Sequence, residues 1–191
     1  MQRSGLASLA FFYHDFRDDQ KRSLRGLLSS MLVQLCDQSD PYSDILSDLY
    51  LTHPHGTGTP TDDELFRCLK SILELPGQAP IYLIIDALDE CPDAFSVPSA
   101  RKEVLMIVEK LVDSGLLNLR ICVTSRTDID IMAVLEPLAF RSVTIHNEKG
   151  QIEDIENYIK SVIDVDRMFQ RWKEEDKQFV IEFLTKHADG M

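Results

Sequence analysis

The chain has 191 residues, room for one α/β domain with a sizeable core but short for two. Its 20 Lys and Arg against 32 Asp and Glu give a net charge of −12. Such a surface repels phosphate backbones, and the densest basic group, Lys21, Arg22 and Arg25, reads as the solvated face of a helix, so no nucleic-acid partner is expected. The four cysteines, Cys36, Cys68, Cys91 and Cys122, show neither metal-ligand spacing nor a CxxC pair. No apolar run approaches the roughly 20 residues that span a bilayer, and the N-terminus does not read as a signal peptide. A cytoplasmic protein with reduced thiols and no membrane association is therefore expected.

Strand and helix patterns alternate along the chain. Leu9 to Phe16 is an apolar, aromatic run suited to a buried strand. Asp18 and Asp19 are expected to cap a helix whose inward positions are Leu24, Leu27, Leu28, Met31, Leu32 and Leu35, the spacing of one buried helix face. A short helix follows at Ile45 to Tyr50. His53 to Pro60 is a loop on its Gly and Pro content. Thr61 with Glu64 forms a capping-box signature for a helix bearing Leu65, Phe66, Leu69, Ile72 and Leu73, stopped by Pro76 and Gly77. Ile81 to Ile85 is a continuous apolar strand of the kind that parallel sheets cover on both faces.

Beyond Pro92 and Pro98, a helix carries Val104, Leu105, Ile107, Val108, Leu111 and Val112 and ends at Gly115. Leu119 to Val123 is the next buried strand, with a short helix near Asp128 to Leu135 and a last strand at Ser142 to Ile145. From Gln151 the chain reads as helical, with one stripe through Ile152, Ile155, Ile159, Val162 and Ile163 and another through Phe179, Val180, Phe183 and Leu184. The alternation implies an α/β fold with a mostly parallel sheet and right-handed connections.

The strongest chemical signal is the run Ile81-Tyr-Leu-Ile-Ile-Asp-Ala-Leu-Asp-Glu90. Sites in open α/β sheets lie beyond the carboxyl ends of strands, where Asp86, Asp89 and Glu90 crowd together. Like charges at close range resist joint ionisation, so a cation is expected. Mg²⁺ fits, with Asp86 holding it through water. Glu90, or Asp89 with it, would orient and deprotonate an attacking water. The second signal is Leu119-Arg-Ile-Cys-Val-Thr-Ser-Arg126. Arg126, at the edge of the neighbouring strand, either caps a helix or pairs an ion, or reaches a terminal phosphate.

IYLIIDALDEC, Ile81 to Cys91, resembles the Walker B segment of NACHT-type STAND ATPases, in particular fungal NLR-like proteins, and LRICVTSR, Leu119 to Arg126, resembles their sensor 1 strand. LAFFYHDF, Leu9 to Phe16, with the amphipathic helix after it, is similar to the strand and helix that follow the P-loop helix in that family. Thr185 to Met191 resembles the passage out of the NACHT core. The resemblance implies a three-layer P-loop NTPase sheet, incomplete, with residues 1–147 a partial NACHT core and 148–191 a helical segment leading out of it. It further implies Mg²⁺ and ATP or GTP as cofactors, Glu90 and Asp89 as catalytic, Ser125 and Arg126 as nucleotide-sensing, and Asp86 as the metal residue. The role it implies is a nucleotide-dependent switch in innate immunity or non-self recognition, partnered by itself or by other NACHT proteins.

The glycine loop GxxGxGK[ST] that cradles phosphates occurs nowhere in the chain. Gly56-Thr-Gly58 has no lysine after it and no strand before it. The chain is expected to start just past that loop and its helix, and to hydrolyse nothing by itself. Two other readings stay open: a P-loop-less regulator that pairs with intact NACHT proteins, and a metal-dependent hydrolase using Asp86, Asp89 and Glu90. His53 and His55 form an HxH pair without a nearby carboxylate or cysteine and read as loop. Trp172 reads as packing against the terminal helices.

Overall fold

A computed structural model describes residues 6–51, 58–93, 99–143 and 149–187, the side chains of 149–151 excepted. The chain divides into two compact units, Met1–Ala139 and Phe140–Met191.

The first unit is built on three parallel strands, β1 (Ser8–Tyr13), β2 (Ile81–Asp86) and β3 (Leu119–Val123), in the spatial order β1-β2-β3. Register is unbroken: Phe11 lies beside Ile84, and Ile84 beside Cys122. Between the strands run α1 (Leu24–Cys36), α2 (Asp40–Leu51), α3 (Asp62–Leu73) and α4 (Ala100–Asp113), with α5 (Ile129–Leu138) after β3. Ala10, Phe12, Ile81, Leu83, Ile85 and Leu119 point into one core, met by Leu27, Leu28, Leu32, Leu69, Ile72, Val104 and Val108 from α1, α3 and α4.

The alternate residues form an open face. Phe11, Tyr13, Tyr82 and Cys122 are exposed there and Ile84 is half-buried. The apolar run of β2 predicts cover on both faces, yet α1, α3 and α4 of this unit cover one. The reason is topological. The sheet grows in one direction from β1 to β3, and right-handed crossovers that all step the same way lie on the same side. A helix reaches the other face only where the strand order reverses.

The two edges of the sheet differ. At β1, Gln38 accepts from the Leu9 N–H at 2.9 Å and donates to the Leu9 carbonyl at 2.7 Å. Gln34 does the same for Phe11, at 3.1 and 2.7 Å. Four residues of helix advance about 6 Å, close to the roughly 6.6 Å of two strand residues, so glutamines four apart on α1 match alternate residues of β1. Their amides stand in for a neighbouring strand and block edge pairing. At β3 the outward backbone groups of Ile121 and Val123 have no hydrogen-bond partner among the described residues.

Several boundaries depart from the sequence expectation. The cap of α1 is Ser23, whose Oγ accepts from the Gly26 N–H, not Asp18 or Asp19. Asp15 and Asp18 instead accept from backbone N–H groups two residues on, Arg17 and Gln20, which turns the chain locally and delays the helix. β1 accordingly stops at Tyr13. The capping box of Thr61 and Glu64 forms as expected. α2 starts at Asp40, five residues earlier than its apolar positions indicate. Ser142 and Val143 of the expected last strand are exposed and irregular, and Thr144 and Ile145 lie outside the described residues, as do His53, His55, Gly56 and the end of the chain from 188.

The second unit comprises α6 (Lys149–Val165), a 3₁₀ turn at Phe169–Arg171 and α7 (Glu174–His187). Among the described residues Ile163 and Ile181 are its buried side chains, and Phe169 meets Trp172 edge to face with centroids 5.0 Å apart. No described helix is long and apolar enough to cross a membrane.

The edges set an asymmetry that hydrogen exchange reads directly. The Leu9 and Phe11 amides, although on an edge, are expected to exchange slowly, and those of Ile121 and Val123 fast. Gln34→Ala with Gln38→Ala should bring Leu9 and Phe11 to the β3 rate, and equal protection of both edges in the wild type would contradict the assignment.

Candidate functional site

The carboxyl ends of β2 and β3 and the segment after β1 meet at one end of the sheet. After Asp86, Ala87 takes the left-handed conformation, φ 54° and ψ 47°, the one non-glycine residue with positive φ among those described. Such a conformation costs a residue with a Cβ roughly 1–2 kcal/mol. It reverses the chain into a 3₁₀ turn, Leu88–Glu90, with Leu88 buried beneath it.

Thr124 holds that reversal. Its N–H donates to the Ile85 carbonyl at 2.9 Å and its carbonyl accepts from Leu88 N–H at 3.0 Å. Its hydroxyl accepts from Ala87 N–H at 3.1 Å and donates to Asp86 Oδ1. Thr124 is thus a site residue that sequence reasoning passed over. A hydroxyl directly after the neighbouring strand was its only signal.

The three carboxylates do not converge. Asp86 is exposed and oriented by Thr124. Asp89, nearly buried, accepts from the Arg126 N–H at 3.1 Å and pairs with its Nε at 3.3 Å. Glu90 turns toward the β1 side and accepts from the Phe16 N–H at 3.3 Å. Each is met by a different residue: Thr124, Arg126 and Phe16. Among the described residues no cluster of three or more His, Cys, Asp or Glu is placed to hold a metal ion. The site therefore pairs Asp89 with Arg126 and gives Asp86 and Glu90 partners of their own, Thr124 and the Phe16 amide. The Ser125 hydroxyl donates to the Arg126 carbonyl at 2.6 Å, a local bond that leaves Ser125 facing backbone. Of the readings open for Arg126, this state shows the ion pair.

His14, one residue past β1, is also part of this end of the sheet. It is 2% exposed, and its N–H donates to the Asp86 carbonyl. Nδ1 lies 3.0 Å from the Lys21 carbonyl, which can only accept, so the proton sits on Nδ1. Nε2 is buried without a partner among the described residues. Burial holds the His14 pKa below the ordinary histidine value, against the Lys21 carbonyl and the charges of Glu90 and Asp89, which raise it. Cys91 closes the turn, and burial pushes its thiol up to about 11, so it is a packed thiol and not a nucleophile.

The family profile described as nephrocystin 3, N-terminal, matches residues 1–126. The chain belongs to the nephrocystin 3 N-terminal family. The match runs from before β1 to Arg126, so every residue of the site just described falls within it. No curated protein and no solved structure matches this member of the nephrocystin 3 N-terminal family.

Two measurements check this geometry. Ala87→Gly relieves the left-handed strain but adds freedom to the unfolded chain, so its urea midpoint should equal or exceed wild type. Ala87→Val, β-branched at positive φ, should lower stability by about 2 kcal/mol. For His14 the unfolded chain takes up a proton near pH 6.5 while the folded chain resists. Stability should therefore be full above that pH and fall as pH drops below it, and His14→Phe should flatten the slope between pH 6.5 and 5.5.

Proposed function

We propose that this chain is the acidic-strand part of a nucleotide-dependent signalling switch of the NACHT type. The observation that carries the reading is the position of Asp86, Asp89 and Arg126 just beyond or at the carboxyl ends of two adjacent parallel strands, with Asp89 paired to Arg126, next to a sheet edge whose Ile121 and Val123 backbone groups have no partner among the described residues. In open α/β sheets that end is where nucleotides bind. The acidic strand β2 pairs directly with β3, the strand that leads to Arg126. The free edge of β3 and the uncovered sheet face are where a phosphate-loop strand and its helix would complete a three-layer sheet.

In this reading Asp86 is the metal residue. A single exposed carboxylate, with one oxygen steered by Thr124, fits an ion held through water and phosphate oxygens rather than a cage of protein ligands. Bound there, Mg²⁺ would neutralise phosphate charge. Glu90 serves as the base toward an attacking water through Oε1, the oxygen that the Phe16 N–H does not engage. Arg126 is 78% exposed at its side chain and can exchange Asp89 for a terminal phosphate, so its present ion pair is the resting contact of a sensor.

The chain carries no GxxGxGK[ST] string, so titration calorimetry with Mg²⁺-ATP on these 191 residues should show no low-micromolar binding. Extension by a strand, a glycine loop ending Lys-Ser or Lys-Thr, and a helix should restore binding. In that extended form Glu90→Gln should keep nucleotide bound and slow hydrolysis by about 10²-fold or more. Tight binding by the chain alone, or unchanged turnover in Glu90→Gln, would overturn the assignment.

A further inference from the structure

Arg101 lies in the first turn of α4, where the N-terminal end of the helix dipole disfavours a cation. Its side chain is only 11% exposed. A guanidinium withdrawn from water at that place must be met by several acceptors. Nε donates to the Cys91 carbonyl at 2.9 Å and Nη2 to the Asp89 carbonyl at 2.6 Å. Nη1 meets Asp128 Oδ2 at 3.0 Å and both oxygens of Asp130 at 3.3 Å. Burial alone would lower the Arg101 pKa, and the two aspartates outweigh it and hold it above the ordinary value.

These acceptors come from two different places. Asp89 and Cys91 belong to the turn that carries the candidate base, and Asp128 and Asp130 open α5, two and four residues past Arg126. We propose that Arg101 is the positioning residue of this site, clamping the acidic turn Leu88–Glu90 to the start of α5 so that Asp89, Glu90 and Arg126 are held as one unit. The fork shape matters. Two nitrogens face the carbonyls while the third faces the carboxylates, an arrangement a lysine ammonium cannot reproduce. If Arg126 leaves Asp89 for a phosphate, the clamp passes that displacement between the turn and α5. This last step rests on the switch reading above, whereas the clamp rests on the geometry alone.

The test monitors backbone amides in the isotope-labelled 191-residue chain. Arg126 N–H donates to Asp89, Phe16 N–H donates to Glu90, and the Glu90 and Cys91 amides close the 3₁₀ turn on Ala87 and Leu88. In Arg101→Met the Arg126 and Phe16 signals should shift, and Glu90 and Cys91 should exchange at least about tenfold faster, with Leu83 and Ile85 unchanged. Adding Asp128→Asn and Asp130→Asn removes the unpaired charges. It should recover the thermal midpoint but not the slow exchange of Glu90 and Cys91. Wild-type exchange at these two amides in Arg101→Met, or its return in the charge-neutralised variant, overturns the proposal, because Arg101 would then only balance charge. If Arg101→Met does not fold, Arg101→Lys is read in the same way: faster exchange at Glu90 and Cys91 supports the clamp and unchanged exchange overturns it. Absence of hydrolysis in the extended protein would sink the switch reading and leave these exchange rates where they are.

Discussion

The parallel pairing of β2 with a strand on each side governs the larger unit. Its register with β1 and β3 sets which residues enter the core, because a slip of one residue would turn Leu83 and Ile85 outward and Tyr82 and Ile84 inward. It also fixes the site, since only a central strand has neighbours on both sides to support the residues beyond its carboxyl end. Thr124 supports Asp86 from β3, and the segment after β1 supports Glu90 from the other side. The one-way growth of the sheet then places α1, α3 and α4 on a single face and leaves Phe11, Tyr13 and Tyr82 in the open.

Charge at the end of the sheet is managed by division. Three carboxylates within five residues would repel one another if they shared one space. The reversal at Ala87 and the 3₁₀ turn separate them, and each finds its own donor: a hydroxyl, an arginine, a backbone amide. The strain in Ala87 is offset by the hydrogen bonds that Thr124 makes across the turn. Asp89 and Arg126 are therefore coupled, while Glu90 bonds the segment after β1.

The loop between β1 and α1 ties the same end of the sheet to the helix layer. Gly26 permits this closeness: a Cβ there would come within 1.8 Å of the Gln20 carbonyl oxygen, so the loop can lie on the first turn of α1 only over a glycine. The same loop carries the Lys21 carbonyl that binds His14 and the Phe16 amide that binds Glu90. Packing of α1 is thus linked to the orientation of a site residue across a stretch without regular structure.

The local elements were legible in the amino-acid order because local rules govern them. The strands Ile81 to Ile85 and Leu119 to Val123, the capping box at Thr61 and the apolar stripe of α1 follow from periodicity and side-chain chemistry within a few residues. Asp86, Asp89, Glu90 and Arg126 stood out as candidates because strand ends with charged residues are short patterns. What could not be read were matters of distance in sequence. The match of Gln38 to Leu9 spans 29 residues and that of Gln34 to Phe11 spans 23, and the bond from Thr124 to Asp86 spans 38. Arg101 looked like any helix arginine until the fold brought two carbonyls and two carboxylates around it. Asp18 and Asp19 looked like helix caps, yet Asp18 bonds its own backbone at Gln20 and Asp19 pairs with Arg22, because several short-range partners compete and only packing selects among them. Side-chain identity determined which groups were available; tertiary structure decided which of them met, since that depends on strand register and crossover direction and not on neighbours in the chain.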